Sequence, residues 1–342
     1  MTVLVTGASG FAGGAIVSAL TAAGVPVRAM VRDPARYTAP AGAEVVVAEL
    51  RDRAAVDRAV AGVDTVVHAA AHLAEFGSAA TFHEVNVAGT ERLLAAAAAA
   101  GARRLVFVSS PSALMAPSGG DQLTIDESVP YPDRFLNRYC ETKARAEQLV
   151  LAANTAEFTT CALRPRAIWG PGDRRGPLIR IMAKLRQGSL PDLSGGRTVL
   201  ASLCYIDHLT RAVELALHAE SVGGRAYFVA DAEPVALWET LAEVSGRFGL
   251  TPPTRTVPAP VLRAAVAAID TVWRIPAVGN RWEPPLSRYG VALVTRSATY
   301  DTTAARRDLG WAPTVSFDEG LARFSRWIDD LGGLDTLLEG LR

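Results

Sequence analysis

The chain has 342 residues, of which 49% are hydrophobic and 20% charged, and its formal net charge is zero. This composition is typical of a soluble globular protein, and the lack of a basic excess argues against nucleic acid as the main partner. Three cysteines and five histidines form no CxxC or HExxH pattern, so we expect reduced thiols, no metal site and a cytoplasmic location.

Short β-branched runs alternate with helical patterns through the first 165 residues. The predicted strands are 2–6, 27–31, 45–47, 65–68, 105–109 and 160–163. The helical patterns between them cover 12–23, 52–61, 79–100 and 134–152. Most of the strands are continuous apolar runs, as in strands that are buried on both faces of a parallel sheet. The alternation predicts a doubly wound α/β fold with right-handed crossovers.

The pattern changes after residue 164, where a stretch rich in Gly, Pro and Arg begins. Helices are predicted at 177–187 and from about 207, and the run 225–230 predicts one more strand of the sheet. The remainder is helical with proline breaks. We therefore expect a dinucleotide-binding domain made of 1–165 plus 198–230. A smaller, mostly helical substrate lobe would comprise 166–197 plus 231–342.

The segment 257–275 is the most apolar helical pattern of the second part. Its apolar residues share one stripe at 3.6-residue spacing, but three charged residues in it argue against a membrane-spanning helix. We predict no transmembrane segment. Two alternatives stay open for this helix: it packs on its own protein, or it contacts a membrane surface or lines an apolar channel.

A glycine-rich turn follows the first strand. Gly7, Gly10 and Gly13 have G-x-x-G-x-x-G spacing between a strand and a helix. Glycine permits the tight turn and lets the backbone approach a pyrophosphate, and the helix N-terminus presents its free N–H groups to that anion. Because the strand and the helix are both present, the motif predicts dinucleotide binding.

The end of the second strand bears on the choice between NAD and NADP. NAD-binding proteins usually place a carboxylate there, whereas NADP-binding proteins need a cation for the 2′-phosphate. The strand ends at Val31, which provides neither, and Arg32 follows with a planar guanidinium that suits phosphate. Asp33 would come near the ribose only after a shift of two residues. We therefore favour NADP(H) over NAD(H).

Lysine is scarce in this chain, and one lysine lies four residues after a tyrosine. Only Lys143 and Lys184 occur among the 35 basic residues. On the helix predicted at 134–152, Tyr139 and Lys143 share one face. A neighbouring ammonium favours tyrosinate and lowers the pKa of a tyrosine, a task for which the broader guanidinium of arginine is poorly suited. The pair predicts a proton donor and the cation that tunes it.

Several segments, in this order, resemble the extended short-chain dehydrogenase/reductase family. They are TGASGFAGG (6–14), VVHAAA (66–71), HEVNVAGT (83–90), LVFVSSPSAL (105–114), YCETK (139–143) and LRPRAIWGPGD (163–173). Within that family, the segment 285–321 is most similar to the 3β-hydroxysteroid dehydrogenase-like branch. That branch includes steroid and sterol dehydrogenases and reductases of long-chain β-keto acids. The second strand resembles that of dihydroflavonol-type reductases, which use NADPH.

The resemblance implies a Rossmann domain and an NADP(H)-dependent oxidoreductase that interconverts a ketone and a secondary alcohol on a fairly apolar substrate. It implies that Tyr139 is the general acid/base, that Ser110 donates to the carbonyl oxygen, and that Asn86 supports Lys143 through a bound water. The implied cofactor-binding residues are Gly7, Ser9, Gly10, Phe11, Ala12, Gly13, Arg32, Glu49, Leu50, Ala69, Ala70, Ala71, Ser109, Tyr139, Lys143, Pro165, Ala167 and Ile168. A homodimer is one assembly we consider.

Two residues depart from the family pattern. Glu49 stands where an aspartate usually contacts the adenine. Arg166 adds a large charge after Pro165, where it could meet an acidic substrate or pair with Asp173. Two other functions also stay open: a sugar-nucleotide epimerase or dehydratase, and a catalytically silent NADP sensor. The epimerase alternative is weakened because Ala201 stands where those enzymes carry an arginine for the diphosphate.

Overall fold

The computed structural model describes residues 1–74, 77–273 and 287–340. The strands of this part are β1 Val3–Thr6, β2 Val27–Val31, β3 Glu44–Val47, β4 Thr65–His68, β5 Arg104–Val108, β6 Gln122–Ile125, β7 Thr159–Pro165, β8 Ile168–Trp169, β9 Leu200–Ala201, β10 Cys204–Tyr205, β11 Arg225–Val229, β12 Val235–Ala236 and β13 Ala298–Tyr300. The helices are α1 Phe11–Ala22, α2 Arg53–Val60, α3 Ala79–Phe82, α4 Gly89–Ala99, α5 Arg138–Ala152, α6 Pro177–Arg186, α7 Ile206–Ala216, α8 Leu237–Arg247, α9 Ala259–Trp273, α10 Arg288–Thr295, α11 Thr303–Leu309, α12 Phe317–Asp330 and α13 Leu334–Glu339.

The central sheet has seven parallel strands in the order β11-β7-β5-β4-β1-β2-β3. The doubly wound parallel sheet predicted from the sequence is confirmed, and the 225–230 run joins it as β11. The edge strand β3 differs from the expectation of burial on both faces, because Val45 and Val47 are 40% and 55% exposed. An edge strand has a neighbouring strand on one side only, which leaves these two valines open to solvent.

Two hydrophobic cores lie on opposite faces of this sheet. Strand alternation sends Val3 and Val5 of β1 into one core and Leu4 into the other. Helices α1 and α7 cover the first face, and α2, α4 and α5 cover the second. Trp311, which follows α11, also belongs to the first core. Packing on both faces therefore holds the seven strands in place.

Smaller sheets join segments that are distant in the chain. Strands β12, β9, β13 and β6 form a four-stranded sheet, and β10 pairs with β8. A third core lies among Trp169, Tyr205 and side chains of α6 and α12. The predicted division into two parts stays a prediction.

The helix predicted at 79–100 is interrupted. It consists of α3, a π-helical segment at His83–Ala88 and α4. The helix predicted at 134–152 begins later, at Arg138, because the Asn137 side chain accepts a hydrogen bond from Cys140 N over 2.9 Å and caps it.

The apolar segment 257–275 forms α9, which begins at Ala259. Leu262 and Val266 are buried in a core with Trp238, while Val261 and Val272 of the same predicted stripe are 57% and 43% exposed. The helix thus packs on its own protein through part of its apolar face. No helix among the described residues is long and apolar enough to cross a membrane.

Candidate active site

The predicted site residues gather where the parallel strands end. Gly7 follows β1, Arg32 follows β2, Ala69 follows β4 and Ser110 lies just after β5. The carboxyl ends of neighbouring parallel strands meet at one edge of the sheet, where doubly wound folds bind ligands. The edge therefore combines the glycine-rich turn with the predicted catalytic groups.

The turn between β1 and α1 leaves no room for side chains. Gly7 has a φ of +69°, and a Cβ there would lie 2.8 Å from the backbone of Ala70. A Cβ on Gly13 would lie 2.2 Å from the Gly7 carbonyl oxygen. Gly10 is the N-cap of α1 and provides no side-chain cap, so the first N–H groups of the helix, beside the exposed Ser9, have no such partner. This geometry fits a dinucleotide pyrophosphate.

Arg32 and Asp33, which follow β2, differ in their contacts. The Asp33 carboxylate accepts a hydrogen bond from Ala35 N over 3.1 Å and lies 3.8 Å from Arg36 Nε. Arg32 is exposed and forms no ion pair within the described part of the chain. Burial lowers the pKa of His72, and the Arg32 charge lowers this pKa further, so Arg32 lies near the segment after β4.

The residues after β3 line the same edge. Glu49 Oε1 lies 2.5 Å from Arg51 Nη2, so its carboxylate is paired within its own loop. Leu50 is buried, and its carbonyl oxygen accepts a hydrogen bond from Arg92 Nη1 over 3.0 Å. The adenine contact implied for Glu49 competes with this ion pair.

The segment Ala69, Ala70 and Ala71 is half-buried beside the glycine-rich turn. Ala70 N donates a hydrogen bond to Thr6 Oγ1 over 3.1 Å. The bond holds the end of β4 against the end of β1 and brings these small side chains next to Gly7.

A chain of hydroxyl groups contains the predicted catalytic tyrosine. The Ser110 side chain acts on the pKa of Tyr139 and so lies beside its phenol, and Ser110 Oγ donates to Ser112 Oγ over 3.0 Å. Ser112 Oγ lies 2.8 Å from Tyr289 Oη on α10, and the Tyr289 ring meets the Tyr139 ring edge-on with centroids 5.9 Å apart. The structure thus brings Tyr139 and Ser110 together at the end of β5.

Burial shifts the pKa values of Tyr139 and Lys143 in opposite directions. It raises the pKa of Tyr139, against which the hydrogen bond with Ser110 acts in the lowering direction. It lowers the pKa of Lys143 to about 7, although Glu147 acts in the raising direction. Lys143 Nζ donates to the Val108 carbonyl oxygen over 2.7 Å. The expected lowering of the Tyr139 pKa is therefore not found in the protein alone, because desolvation by burial raises this pKa.

Asn86 lies in the π-helical segment and is buried. Its Oδ1 accepts a hydrogen bond from His72 N over 2.6 Å, and its Nδ2 donates to Thr142 Oγ1 over 3.1 Å. Asn86 therefore ties the segment after β4 to α5 at the residue before Lys143. The water-mediated support of Lys143 stays a prediction.

Ser109, the neighbour of Ser110, is not hydrogen-bonded to Ser110, Ser112 or Tyr289. It is buried, and its Oγ has no hydrogen-bond partner within the described residues. Pro165 ends β7, and Ala167 has a φ of +46°, a left-handed conformation that is uncommon outside glycine. This conformation turns the chain between Pro165 and Ile168, where β8 begins, and such strain is typical of functional sites.

Arg166 does not pair with Asp173. The Asp173 carboxylate accepts hydrogen bonds from the backbone N–H groups of Arg175 and Gly176, over 3.2 and 2.6 Å. Arg166 is buried and donates to two backbone carbonyl oxygens instead.

Sequence reasoning missed Ser112 and Tyr289. Ser112 lies two residues after Ser110 in SSPS, so its place in a turn after a strand could have suggested a second hydroxyl at the site. Tyr289 is 177 residues away from Ser112, and no local pattern joins them.

The fold and this edge define a Rossmann-fold, dinucleotide-binding protein of the extended short-chain dehydrogenase/reductase type. Residues 4–259 match the model of the 3-beta hydroxysteroid dehydrogenase/isomerase family. The chain belongs to this family and is an NAD(P)-dependent oxidoreductase of CH–OH and C=O groups.

Two curated relatives are similar over nearly their whole length. The chain is 38% identical over 328 residues to the 2-alkyl-3-oxoalkanoate reductase of Stenotrophomonas maltophilia, covering 94% of this chain and 98% of that protein. It is 37% identical over 323 residues to the 4-hydroxy-2-methyl-3-oxo-4-farnesyl-3,4-dihydroquinoline-1-oxide ketoreductase of Stigmatella aurantiaca, covering 94% and 95%. Among solved structures, MoeE5 in complex with UDP-glucuronic acid and NAD has a TM-score of 0.75 and 26% identity, covering 96% of this chain and 99% of that one.

Proposed function

We propose that the protein is an NADP(H)-dependent ketoreductase of apolar substrates in which Tyr139 is the general acid/base. The observation that carries this proposal is that Ser110 lies close enough to Tyr139 to act on its pKa, at the same sheet edge as the glycine-rich turn. The two curated relatives support the reaction class, since both are named as reductases of oxo compounds, one with an alkyl group and one with a farnesyl group.

A reduced dinucleotide held at the glycine-rich turn and Arg32 would supply a hydride, with its two electrons, for the carbonyl carbon. Negative charge then develops on the carbonyl oxygen, and a donor must supply one proton to complete the secondary alcohol. Tyr139 fits this role because its raised pKa keeps the phenol protonated at neutral pH. Ser110, which lies beside Tyr139, can donate to the same oxygen.

Lys143 is proposed to orient the cofactor rather than to act on the substrate. Its Nζ reaches the carbonyl oxygen of Val108 at the end of β5 and lies 4.0 Å from the centroid of the Phe107 ring. An ammonium has three donors, so two are left after the bond to Val108, and these suit ribose hydroxyls. A lysine pKa near 7 lets this group change charge as ligands bind.

NADP(H) is proposed over NAD(H) because Arg32 is the cation at the end of β2. Asp33 accepts a backbone hydrogen bond of its own turn and pairs with Arg36, which leaves Arg32 to meet a 2′-phosphate. Arginine suits this role since its planar fork can bind two phosphate oxygens at once.

A substrate screen tests the proposed reaction. The purified protein and NADPH are mixed with an alkyl 3-oxo ester, a 3-ketosteroid, an aromatic ketone and a UDP-sugar, and NADPH absorbance and products are followed. We expect one alcohol formed per NADPH consumed with at least one of the ketones. Epimerisation of the UDP-sugar without net NADPH consumption, together with inert ketones, would contradict the proposal.

A further inference from the structure

Two arginines line one small cavity that is separate from the proposed catalytic groups. The cavity has a volume of about 20 Å³, and Arg166, Arg296 and Tyr300 are among the residues that line it. None of the residues in the chain of hydroxyl groups beside Tyr139 lines it. A cavity of this size holds one particle as large as a water molecule or a halide ion. Any ligand of the cavity is therefore much smaller than a substrate or a dinucleotide.

Arg166 is held in place by backbone carbonyl groups. The protein encloses this side chain, which is 8% exposed. Its Nη1 donates to the Ser202 carbonyl oxygen over 3.3 Å, and its Nη2 donates to the Leu293 carbonyl oxygen over 3.1 Å. Leu293 lies in the last turn of α10, where carbonyl oxygens have no partner within the helix. These two bonds orient the guanidinium but bring no negative charge to it.

Arg296, which directly follows α10, is held in the same way. Its Nη1 donates to the Ala116 carbonyl oxygen and its Nη2 to the Pro117 carbonyl oxygen, both over 2.9 Å. Within residues 1–74, 77–273 and 287–340, the hydrogen bonds of Arg166 and Arg296 all go to carbonyl oxygens and none goes to a carboxylate. Two like charges thus line the same cavity.

Asp121 is the carboxylate that acts on Arg296, and it is already engaged elsewhere. Burial lowers the pKa of Arg296, and the Asp121 charge acts in the raising direction. Asp121 Oδ2 lies 2.5 Å from Arg197 Nη2, and its Oδ1 accepts a hydrogen bond from Ser297 N over 2.8 Å. One carboxylate therefore serves Arg197 and Arg296 together, so the surroundings of the cavity keep an excess of positive charge.

Arg164 shows how this fold neutralises a buried arginine by itself. Arg164 is 3% exposed, and its guanidinium contacts both carboxylate oxygens of Glu147 at 2.7 to 3.2 Å. Enclosing a cation without such a partner costs free energy. The contrast between Arg164 and Arg166, two residues apart in the chain, indicates that the negative charge for the cavity comes from solution.

We propose that the cavity lined by Arg166 and Arg296 binds a small monovalent inorganic anion, for which chloride is the probe. The anion would accept hydrogen bonds from both guanidinium groups. Burial raises the pKa of Tyr300, so its phenol stays protonated and can act as a further donor. The bound anion would join α10 to the segment that contains Ala116 and to the turn after β7. The site does not depend on the proposed function, and its expected effect is to stabilise the fold.

Water is the other particle that fits the cavity. A water molecule could accept hydrogen bonds from the two side chains, but it would leave both positive charges uncompensated. Bromide has the charge of chloride and an anomalous X-ray signal that water lacks. A crystal structure in bromide therefore distinguishes an anion from water directly.

The first experiment locates the anion in the wild-type protein. Crystals are grown in sodium bromide at about 0.1 M, an ionic strength that already screens charges on the protein surface. Data are collected at the bromine absorption edge. We expect an anomalous difference peak in the cavity, between the guanidinium groups of Arg166 and Arg296. This measurement needs no variant, so it stands even where a substitution prevents folding.

The second experiment measures what the anion does to stability. Thermal unfolding is followed while sodium chloride replaces sodium gluconate at constant ionic strength. An anion that binds the folded chain alone should raise the Tm by about 1 to 4 °C, and the rise should saturate. Arg166→Gln and Arg296→Gln should each remove this rise. The control Arg186→Gln, which removes an exposed arginine of α6 that pairs with Asp335, should keep it.

Three results would overturn the proposal. The first is a wild-type crystal in bromide without an anomalous peak in the cavity. The second is a rise of Tm with chloride that is equal in wild type, Arg166→Gln and Arg296→Gln. The third is a peak that appears only at molar bromide while chloride leaves the wild-type Tm unchanged, since this would mark an adventitious ion only.

Discussion

Tyr139 and Lys143 show how burial alters a pair whose spacing the sequence predicts. The i, i+4 spacing places both on one face of α5, but Lys143 reaches back to Val108 and the ring of Phe107. Sequence spacing fixes the common face, whereas the direction of each long side chain depends on neighbours from β5. The protein alone therefore holds a protonated tyrosine and a lysine with a lowered pKa.

Arg32 gives the residue-scale prediction. Arg32→Ala should weaken NADPH binding at least tenfold, because a charge-assisted hydrogen bond to phosphate is lost, while NADH affinity changes little. Fluorescence titration with each cofactor measures both affinities. Arg36→Ala is the matched control, since Arg36 is 86% exposed and pairs with Asp33. Equal weakening of NADH and NADPH binding in Arg32→Ala would contradict the assignment of Arg32 to the 2′-phosphate.

At the scale of elements, the sequence predicts the strands well and the helix interruptions poorly. Apolar runs bounded by turn residues mark β2 and β4 with their observed limits. The π-helical segment at His83–Ala88 has no such mark, because it depends on Asn86 bonding to the segment after β4. The start of α5 could have been found from Asn137, a favourable N-cap.

A buried ion pair also fixes α5. Glu147, one turn after Lys143, contacts Arg164 of β7 and accepts a hydrogen bond from Tyr131 Oη over 2.5 Å. Removing one partner of such a pair leaves the other charge buried and alone. The contact therefore holds the helix of Tyr139 and Lys143 against the sheet.

His68 joins three elements and provides a prediction about pH. Its Nδ1 lies 2.8 Å from Thr6 Oγ1 of β1, and its Nε2 lies 2.9 Å from Thr90 Oγ1 of α4. Burial and the Lys143 charge lower its pKa from 6.5 to about 3. At a pH between about 3 and 6.5, His68 therefore binds a proton in the unfolded chain but not in the folded chain. The contribution of His68 to the free energy of unfolding is therefore present above pH 6.5 and falls as the pH decreases towards 3.

Urea unfolding at pH 7, 6 and 5 tests this linkage. Relative to wild type, His68→Gln should gain stability as the pH falls, by up to about 1.4 kcal/mol per pH unit, because glutamine does not titrate. His218→Gln replaces an exposed histidine and is the control. A difference between wild type and His68→Gln that is constant from pH 7 to pH 5 would contradict a lowered pKa for His68.

At the scale of the whole molecule, the site is assembled from segments that are far apart in the chain. The glycine-rich turn and the strand ends could be predicted, because parallel strands place their carboxyl ends at one edge. The contact of Tyr289 with Ser112 and the burial of Arg166 under α10 could not, since long-range packing leaves no local pattern in the sequence. The small sheet of β6, β9, β12 and β13 joins these distant segments.

The central claim is that Tyr139 delivers the proton during ketone reduction. A single-turnover, rapid-mixing measurement of NADPH oxidation by the best ketone of the screen tests it in wild type and Tyr139→Phe. Phenylalanine keeps the ring and removes the acidic hydroxyl. The rate should fall by about 10²- to 10⁴-fold, the usual contribution of a general acid, while NADPH affinity changes little. Hydride transfer at the wild-type rate in Tyr139→Phe would contradict the account.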